Sequence, residues 1–325
     1  MATVSATLNS PPAGRRRILR YLRSKWFAYA CIAPIMLATT VLIYYPLVVG
    51  IYYSFTNASG TNPNNVGIPI LNIPATFKFI GLKNYIDVFA NTDPTVDVRQ
   101  IFVQTLEWII FNAVFHFVIG LGLALLLNRR MRFRGIYRAL LIVPWATPQF
   151  VAAFGWRFLF NGDYGFINLL LEQLHLAPID WAGQPSAAMA AVIICNVWLG
   201  IPFMTITLLG GLQSIPGELY EVAELDGASW FQRFWYLTLP LLRPTAVLVT
   251  MLDVIWTFNV FAIIFLITGG GPYHRSDTLV TYAFQVAITN QKFGLGAAYG
   301  VVILLILVVF VMIYSRLLRA NEQVY

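Results

Sequence analysis

Four acidic side chains stand within nine residues, Glu218, Glu221, Glu224 and Asp226. Three of them recur at every third position. On a helix Glu218, Glu221 and Glu224 therefore share one side, with Leu219, Val222 and Ala223 on another. Pro216 suits a first helical turn, and Gly227-Ala228 removes side-chain bulk where such a helix ends or is closely approached. Long apolar runs flank this short polar-faced helix on both sides. It is either a solvated connection or a docking element for another protein, and spacing alone leaves both open.

A second candidate is a carboxylate inside an apolar run. Asp253 is the single charge between Pro244 and Ile267, and an ionisable group in such a run marks function by default. On a helix it shares a face with Trp256, Thr257 and Val260, at i+3, i+4 and i+7. A carboxylate, an indole and a hydroxyl together suit a sugar, whose flat C–H faces pack on aromatic rings while its hydroxyls bond to polar atoms. The same residues also fit helix-to-helix glue, with Asp253 bonding a neighbouring helix and Trp256 packing. A third use is a proton-relay carboxylate in a secondary transporter. Asn196, Trp198, Gly200 and Phe203 repeat the aromatic and polar combination in an earlier run.

Other chemistry is missing. No G-x-x-x-x-G-K-[ST] occurs, and Lys25, Lys78, Lys83 and Lys292 all lack the glycine loop that cradles phosphates. The chain cannot hydrolyse ATP by that route. No metal-ligand spacing appears, and His116, His175 and His274 are far apart in sequence. Cys31 and Cys195 both fall in apolar runs and read as small buried hydrophobes, not a disulfide framework.

These candidates must be positioned by membrane helices. Of 325 residues, 58% are hydrophobic and only 11% charged, which excludes a soluble globular chain. The net charge of +7 does not point to nucleic acid, because most basic residues sit beside apolar spans. Six spans are long enough to cross about 30 Å of hydrocarbon: Phe27–Tyr53, Trp108–Leu127, Ala139–Trp156, Ala187–Leu212, Pro244–Ile267 and Phe293–Tyr314. The first is too long for a signal peptide, and Pro34 and Pro46 are expected to bend it. The expected fold is all-α: a polytopic membrane protein of six transmembrane helices with a cytoplasmic helix around Glu221. Its parts are a basic N-terminal segment (1–25), the helical domain (26–318) and a tail (319–325).

Basic residues set the expected orientation. Arg15, Arg16, Arg17, Arg20, Arg23 and Lys25 precede the first span, and Arg129, Arg130, Arg132, Arg134 and Arg138 follow the second. Arg233 and Arg243 follow the fourth, and Arg316 and Arg319 end the last. All fall on one side, which makes both termini cytoplasmic. Lys78, Lys83, Arg99, Arg275 and Lys292 fall on the other, with Arg157 snorkelling outward. About 50 residues rich in Asn, Gly, Pro and Thr then form an extracytoplasmic loop, too short for a second domain.

The acidic stretch resembles the EAA loop of binding-protein-dependent ABC importer permeases. Glu221, Ala223, Asp226-Gly227-Ala228, Phe234 and Leu239-Pro240 fit that pattern, and Val222 departs from it. The runs Leu141-Ile142-Val143-Pro144-Trp145, Asn196-Val197-Trp198-Leu199-Gly200, Gly269-Gly270-Gly271-Pro272 and Asp277-Thr278-Leu279-Val280 are similar to the larger maltose-type sugar permease subunit. The likeness covers roughly residues 27 to 318.

The resemblance implies that Glu218, Glu221, Ala223, Glu224, Asp226, Gly227 and Ala228 form the coupling helix seated in a cytoplasmic ATPase. It implies a sugar midway across the membrane against Leu199, Gly200, Phe203, Asp253, Trp256, Thr257 and Val260. Relatives carry Asn at the places of Thr257 and Val260 and Ser at that of Asp253, so the site is chemically altered. It further implies a second homologous permease subunit, two ATPase subunits holding ATP and Mg, and an extracytoplasmic sugar-binding protein. The chain itself then binds no cofactor and is not an enzyme, and it lies in a bacterial or archaeal cytoplasmic membrane. The best-studied relative has two further N-terminal spans and a large periplasmic insert that this chain lacks. Expected cargo is an oligo- or disaccharide like maltose, maltodextrin or trehalose, with glycerol phosphate or another small polyol as the alternative.

Overall fold

The computed structural model describes residues 26–27, 29–60, 77–90, 96–129 and 131–322. The basic segment through Lys25, Arg130, the end of the tail and most of the Asn- and Pro-rich stretch lie outside them. The chain divides between Tyr52 and Tyr53 into two compact units.

Among the described residues the first unit carries one membrane-length helix, α1 (Tyr29–Tyr53), whose last residue opens the second unit. The 25 residues of α1 make about 37 Å at 1.5 Å per residue. That exceeds the hydrocarbon thickness. Instead of a break before Pro46, the helix carries a π turn over Thr40–Tyr44, closed by the Tyr45 N–H on the Thr40 carbonyl. The wider turn makes room for a residue that has no N–H to give.

The second unit begins with short α2 (Lys83–Ala90) and long α3 (Val98–Asn128). Next come α4 (Arg134–Ala146), α5 (Gln149–Leu159), α6 (Phe166–Gln173) and α7 (Pro185–Gln213). Short α8 (Gly217–Leu225) leads to α9 (Trp230–Phe258), α10 (Ala262–Ile267), α11 (Leu279–Thr289) and α12 (Phe293–Glu322). No strand forms among the described residues, only an isolated bridge between Thr56 and Phe79. The all-α membrane fold expected from the apolar runs is the one observed.

Five of these helices, α1, α3, α7, α9 and α12, are long and apolar enough to cross a membrane. The expected third span is not a single helix. It is broken into α4 and α5, which meet at 93° and, at 13 and 11 residues, are each shorter than about 30 Å of hydrocarbon. Taken together they form a sixth, bent span. The cause is local: Thr147 precedes Pro148, and the proline ring pushes its predecessor out of the helical region, to φ −77° and ψ 124°.

The fifth span also differs from expectation. It starts at Trp230, fourteen residues before Pro244, and stops at Phe258, with a separate α10 beyond the break. A π turn over Phe234–Thr238 precedes Pro240, so the prolines near its start are absorbed within a continuous helix. Arg157, in the last turn of α5, donates to the Leu266 carbonyl at the end of α10.

Helices α3 and α7 form the centre of the unit. They approach closely where a glycine faces a large side chain: a Cβ on Gly120 would stand 2.6 Å from Met204 Cγ, and one on Gly200 2.2 Å from the His116 ring. Small residues permit such backbone approach between membrane helices. Two apolar clusters bracket this contact, Leu121, Ala124, Met204, Leu208, Leu242 and Val249 toward one end and Trp108, Val192, Cys195, Ile263 and Ile264 toward the other.

Beyond α10 the Gly-Gly-Gly-Pro stretch folds into a turn around Asp277, which is wholly buried. Thr281 and Gln285 donate to Asp277 Oδ1, and His274 Nδ1 lies 2.7 Å from Oδ2. Burial pushes this carboxyl above its ordinary 3.8, while those hydrogen bonds pull it down.

Candidate functional site

A layer of buried polar groups lies between the two apolar clusters. Trp108, Asn112 and His116 lie one turn apart on α3, at i, i+4 and i+8. The Asn112 amide donates to the Trp108 carbonyl, and its oxygen accepts from Asn196 Nδ2 of α7 at 2.8 Å. His116 Nδ1 lies 2.8 Å from Asp253 Oδ1 of α9, and Nε2 lies 3.2 Å from the Asn196 carbonyl. Trp108 Nε1 donates to the Thr257 carbonyl near the end of α9. One chain of hydrogen bonds thus ties three membrane helices together.

Both ring nitrogens of His116 face oxygens, a carboxylate and a carbonyl. Pairing of this kind is how a carboxylate is accommodated among apolar helices. Asp253 Oδ2 is buried and makes no hydrogen bond among the described residues.

The residues expected to meet a ligand fall into two environments. Asp253, Thr257, Val260 and Leu199 are buried, and Gly200 packs against the His116 ring. Val260 lies past the end of α9, so the shared face runs only from Asp253 to Thr257. Trp256 is 52% exposed, and its ring lies 4.7 Å from that of half-buried Phe203. Phe203 and Trp256 therefore present an aromatic surface, while Asp253 points into the helix contact behind it. Sequence reasoning missed His116 and Asn112 as partners of Asp253 and Asn196. The available signal was a histidine inside an uncharged span.

The acidic stretch folds as the nine-residue helix α8. Pro216 is its N-cap, not part of its first turn. At the other end Gly227 takes φ 79°, with its N–H on the Glu224 carbonyl and the Ala228 N–H on the Ala223 carbonyl. That is a Schellman cap, which needs a residue tolerant of the left-handed region. Tyr220 and Thr238 hydroxyls meet at 3.1 Å, and Arg233 pairs with Glu224 at 2.7 Å, tying α8 to the start of α9. Glu224 therefore has a partner within the chain. Outward, Leu219, Val222 and Leu225 are 40%, 56% and 88% exposed beside Glu218 and Glu221. A cavity of about 740 Å³, lined by Leu126, Asn128, Arg129, Tyr220, Arg233 and Thr238 among others, brings α8 to the same end of the unit as Arg129 after α3.

Among the described residues no cluster of His, Cys, Asp and Glu could hold a metal ion.

With this geometry in hand, the chain can be compared with known proteins. The family described as "binding-protein-dependent transport system inner membrane component" matches residues 116–323. A trehalose/maltose transport system permease protein of Thermococcus litoralis is 34% identical over 308 residues, 94% of this chain and 97% of that protein. A maltose/maltodextrin transport system permease protein of Salmonella typhimurium is 35% identical over 78% of this chain, a match spanning 51% of that longer protein. The fold is shared with a chain in the crystal structure of a bacterial ABC transporter involved in the import of the acidic polysaccharide alginate. The TM-score is 0.79 at 21% identity, over 94% of this chain and 99% of that one.

Proposed function

The chain belongs to the family of binding-protein-dependent transport system inner membrane components, and on that premise we propose that it is the permease subunit of an ATP-driven importer for an oligo- or disaccharide of the maltose, maltodextrin or trehalose kind. The observation that carries this reading is the match with the trehalose/maltose permease over 94% of the chain. Family membership also favours this reading over a proton-coupled transporter built on Asp253.

In this reading α8 is the coupling helix. Its exposed Leu219, Val222 and Leu225 make an apolar strip beside Glu218 and Glu221, the surface expected of a helix that docks into another protein. The partner is an ATPase dimer that holds ATP and Mg. A second homologous permease subunit and an extracytoplasmic sugar-binding protein complete the importer. Closure of the ATPase dimer moves α8 as a rigid body, and the bundle turns between inward- and outward-facing states. The end of the second unit that carries α8 is proposed to face the cytoplasm, and basic-residue bias puts both termini on that side of the membrane.

The sugar is proposed to stack on Trp256 and Phe203, the exposed aromatic pair. Asp253 lies buried behind that pair, so its Oδ2, which makes no hydrogen bond among the described residues, would meet the sugar only in a state of the transport cycle in which the helix contact opens. Leu199, Gly200, Thr257 and Val260 shape the wall behind.

The test is to purify the intact complex, add binding protein, and measure which sugar stimulates ATP hydrolysis. Stimulation by maltose- or trehalose-type sugars is the expected result. Stimulation by glycerol phosphate or a small polyol, with none by oligosaccharides, would replace the substrate assignment.

A further inference from the structure

Arg134 and Arg138 open α4 one turn apart. With the Gln213 amide turned so that its oxygen faces them, that oxygen accepts from Nη2 of Arg138 at 2.9 Å and of Arg134 at 2.5 Å. This orientation follows from chemistry, since only the oxygen can face two donors. Two guanidinium charges thus converge on one neutral acceptor. Among the described residues neither makes an ion pair, and the Nε of each is buried without a hydrogen bond.

Position compounds the problem for Arg134. As the first residue of the helix it opposes a dipole that favours anions there, with Arg138 one turn further in. The first turn also has no side-chain cap, because the N-cap residue is Phe133 with φ 63°. Unneutralised guanidiniums, an opposing dipole and uncapped N–H groups are each unfavourable. One anion resolves all three.

A groove shows what carries the anion. About 510 Å³ in volume, it runs between α3, α4 and α7 and is lined by Leu123, Leu126, Leu127, Leu141, Pro144 and Trp198 among others. Its lining on α4 begins at Tyr137. Arg134 precedes Tyr137 by three residues and Arg138 precedes Leu141 by three, so both arginines stand on the groove's side of α4, next to its lining. A soluble anion would answer the charges and leave the groove without a purpose. A carboxylate of a partner protein would do the same.

We propose that this site binds one anionic phospholipid, with its phosphate on Arg134 and Arg138 and an acyl chain along the α3–α4–α7 groove. Basic pockets between helices, next to apolar channels, are the general form of such sites. Two uncompensated positive charges select a headgroup of net negative charge over a zwitterionic one. Pro202 of α7 also lines the groove, next in sequence to Phe203 of the proposed sugar surface, so the lipid braces the helix that presents that ring.

The experiment uses the assembled importer, stripped of lipid in detergent and offered phosphatidylglycerol or phosphatidylcholine, with retained lipid counted by native mass spectrometry. The complex should hold phosphatidylglycerol about tenfold or more in preference, the scale of a bidentate charged contact. Arg134→Gln with Arg138→Gln should abolish the preference, and Arg134→Lys with Arg138→Lys should largely keep it. Leu141→Trp, which fills the groove and leaves both arginines, should also lose it. These last two variants decide the matter if the Gln pair does not assemble. An unchanged preference in the Gln pair would overturn the proposal. So would full retention in Leu141→Trp with displacement by millimolar inorganic phosphate, which would identify a soluble anion. Crosslinking of Arg134 to a carboxylate of a partner subunit would overturn it in favour of a protein contact.

Discussion

Asp253 has one oxygen engaged by His116 and one without a bond, and the two predict different consequences of its loss. Asp253→Ala leaves His116 Nδ1 buried with nothing to meet, a loss of about 1–3 kcal/mol for a buried polar group left unsatisfied. Thermal unfolding of the purified complex should register that loss. If the free oxygen also meets substrate, transport per assembled complex should fall by about tenfold or more, with an altered preference among sugars. Trp256→Ala separates the two effects. Its ring is half exposed and outside the hydrogen-bond chain, so stability should change little while sugar preference shifts. A uniform loss for every sugar that tracks protein level would assign Asp253 to helix packing alone. The pairing itself was not legible in the sequence, because 137 residues separate the partners and helical periodicity relates only neighbours on one helix. Asp277 offers a pH test at the same scale. Its carboxyl is raised in the folded state, so from the ordinary 3.8 up to the raised value the folded chain holds more proton than the unfolded one. Stability of the 268–281 turn should therefore fall as pH rises through that window and level off above it. Amide-exchange protection, corrected for intrinsic rates, should show this slope, and Asp277→Asn should remove it. Protection that climbs with pH would reverse the assignment.

Among the elements, α8 was readable nearly to its ends, since acidic spacing and Gly227 are both local signals. What the glycine does became clear only from its φ of 79° and the two hydrogen bonds that close the cap. Nothing lies within 4 Å of where a Cβ would stand there, so within this chain the constraint is conformational. Gly227→Ala should cost the helix about 1 kcal/mol through the left-handed backbone alone. Gly227→Asn should cost less, because Asn tolerates that region. Gly227→Trp adds bulk to the same backbone penalty. If α8 docks closely on the ATPase, Trp should abolish transport and ATPase retention while Ala and Asn reduce them modestly. Equal effects of Ala and Trp would limit Gly227 to capping. The apolar runs revealed where spans lie but not their breaks. At Thr147-Pro148 the bend follows from a dipeptide rule that a continuous run of apolar residues conceals. At α9 the helix begins inside the stretch Trp230–Thr238, which reads as a loop because prolines follow it, and the π turn that accommodates Pro240 has no composition of its own.

For the whole molecule, Arg129 after α3, Arg233 near the start of α9 and Tyr220 of α8 line one cavity at one end of the second unit. Basic-residue bias predicts a cytoplasmic location for that end, and the proposed coupling role of α8 requires the same. The structure supplies reporters for both ends: Leu225 on α8 and Tyr273 in the turn after α10, each 88% exposed. In a background with Cys31 and Cys195 replaced, Tyr273→Cys should react with an impermeant thiol reagent added to intact cells, and Leu225→Cys should not. In inside-out vesicles stripped of the ATPase the pattern should reverse. Restoring the ATPase should then protect Leu225→Cys, because the apolar strip it belongs to is the proposed seat. Labelling of Leu225→Cys from outside would invert the topology and remove α8 from any cytoplasmic partner's reach. Labelling from inside that the ATPase leaves unchanged would keep the topology and move the docking surface elsewhere on that end.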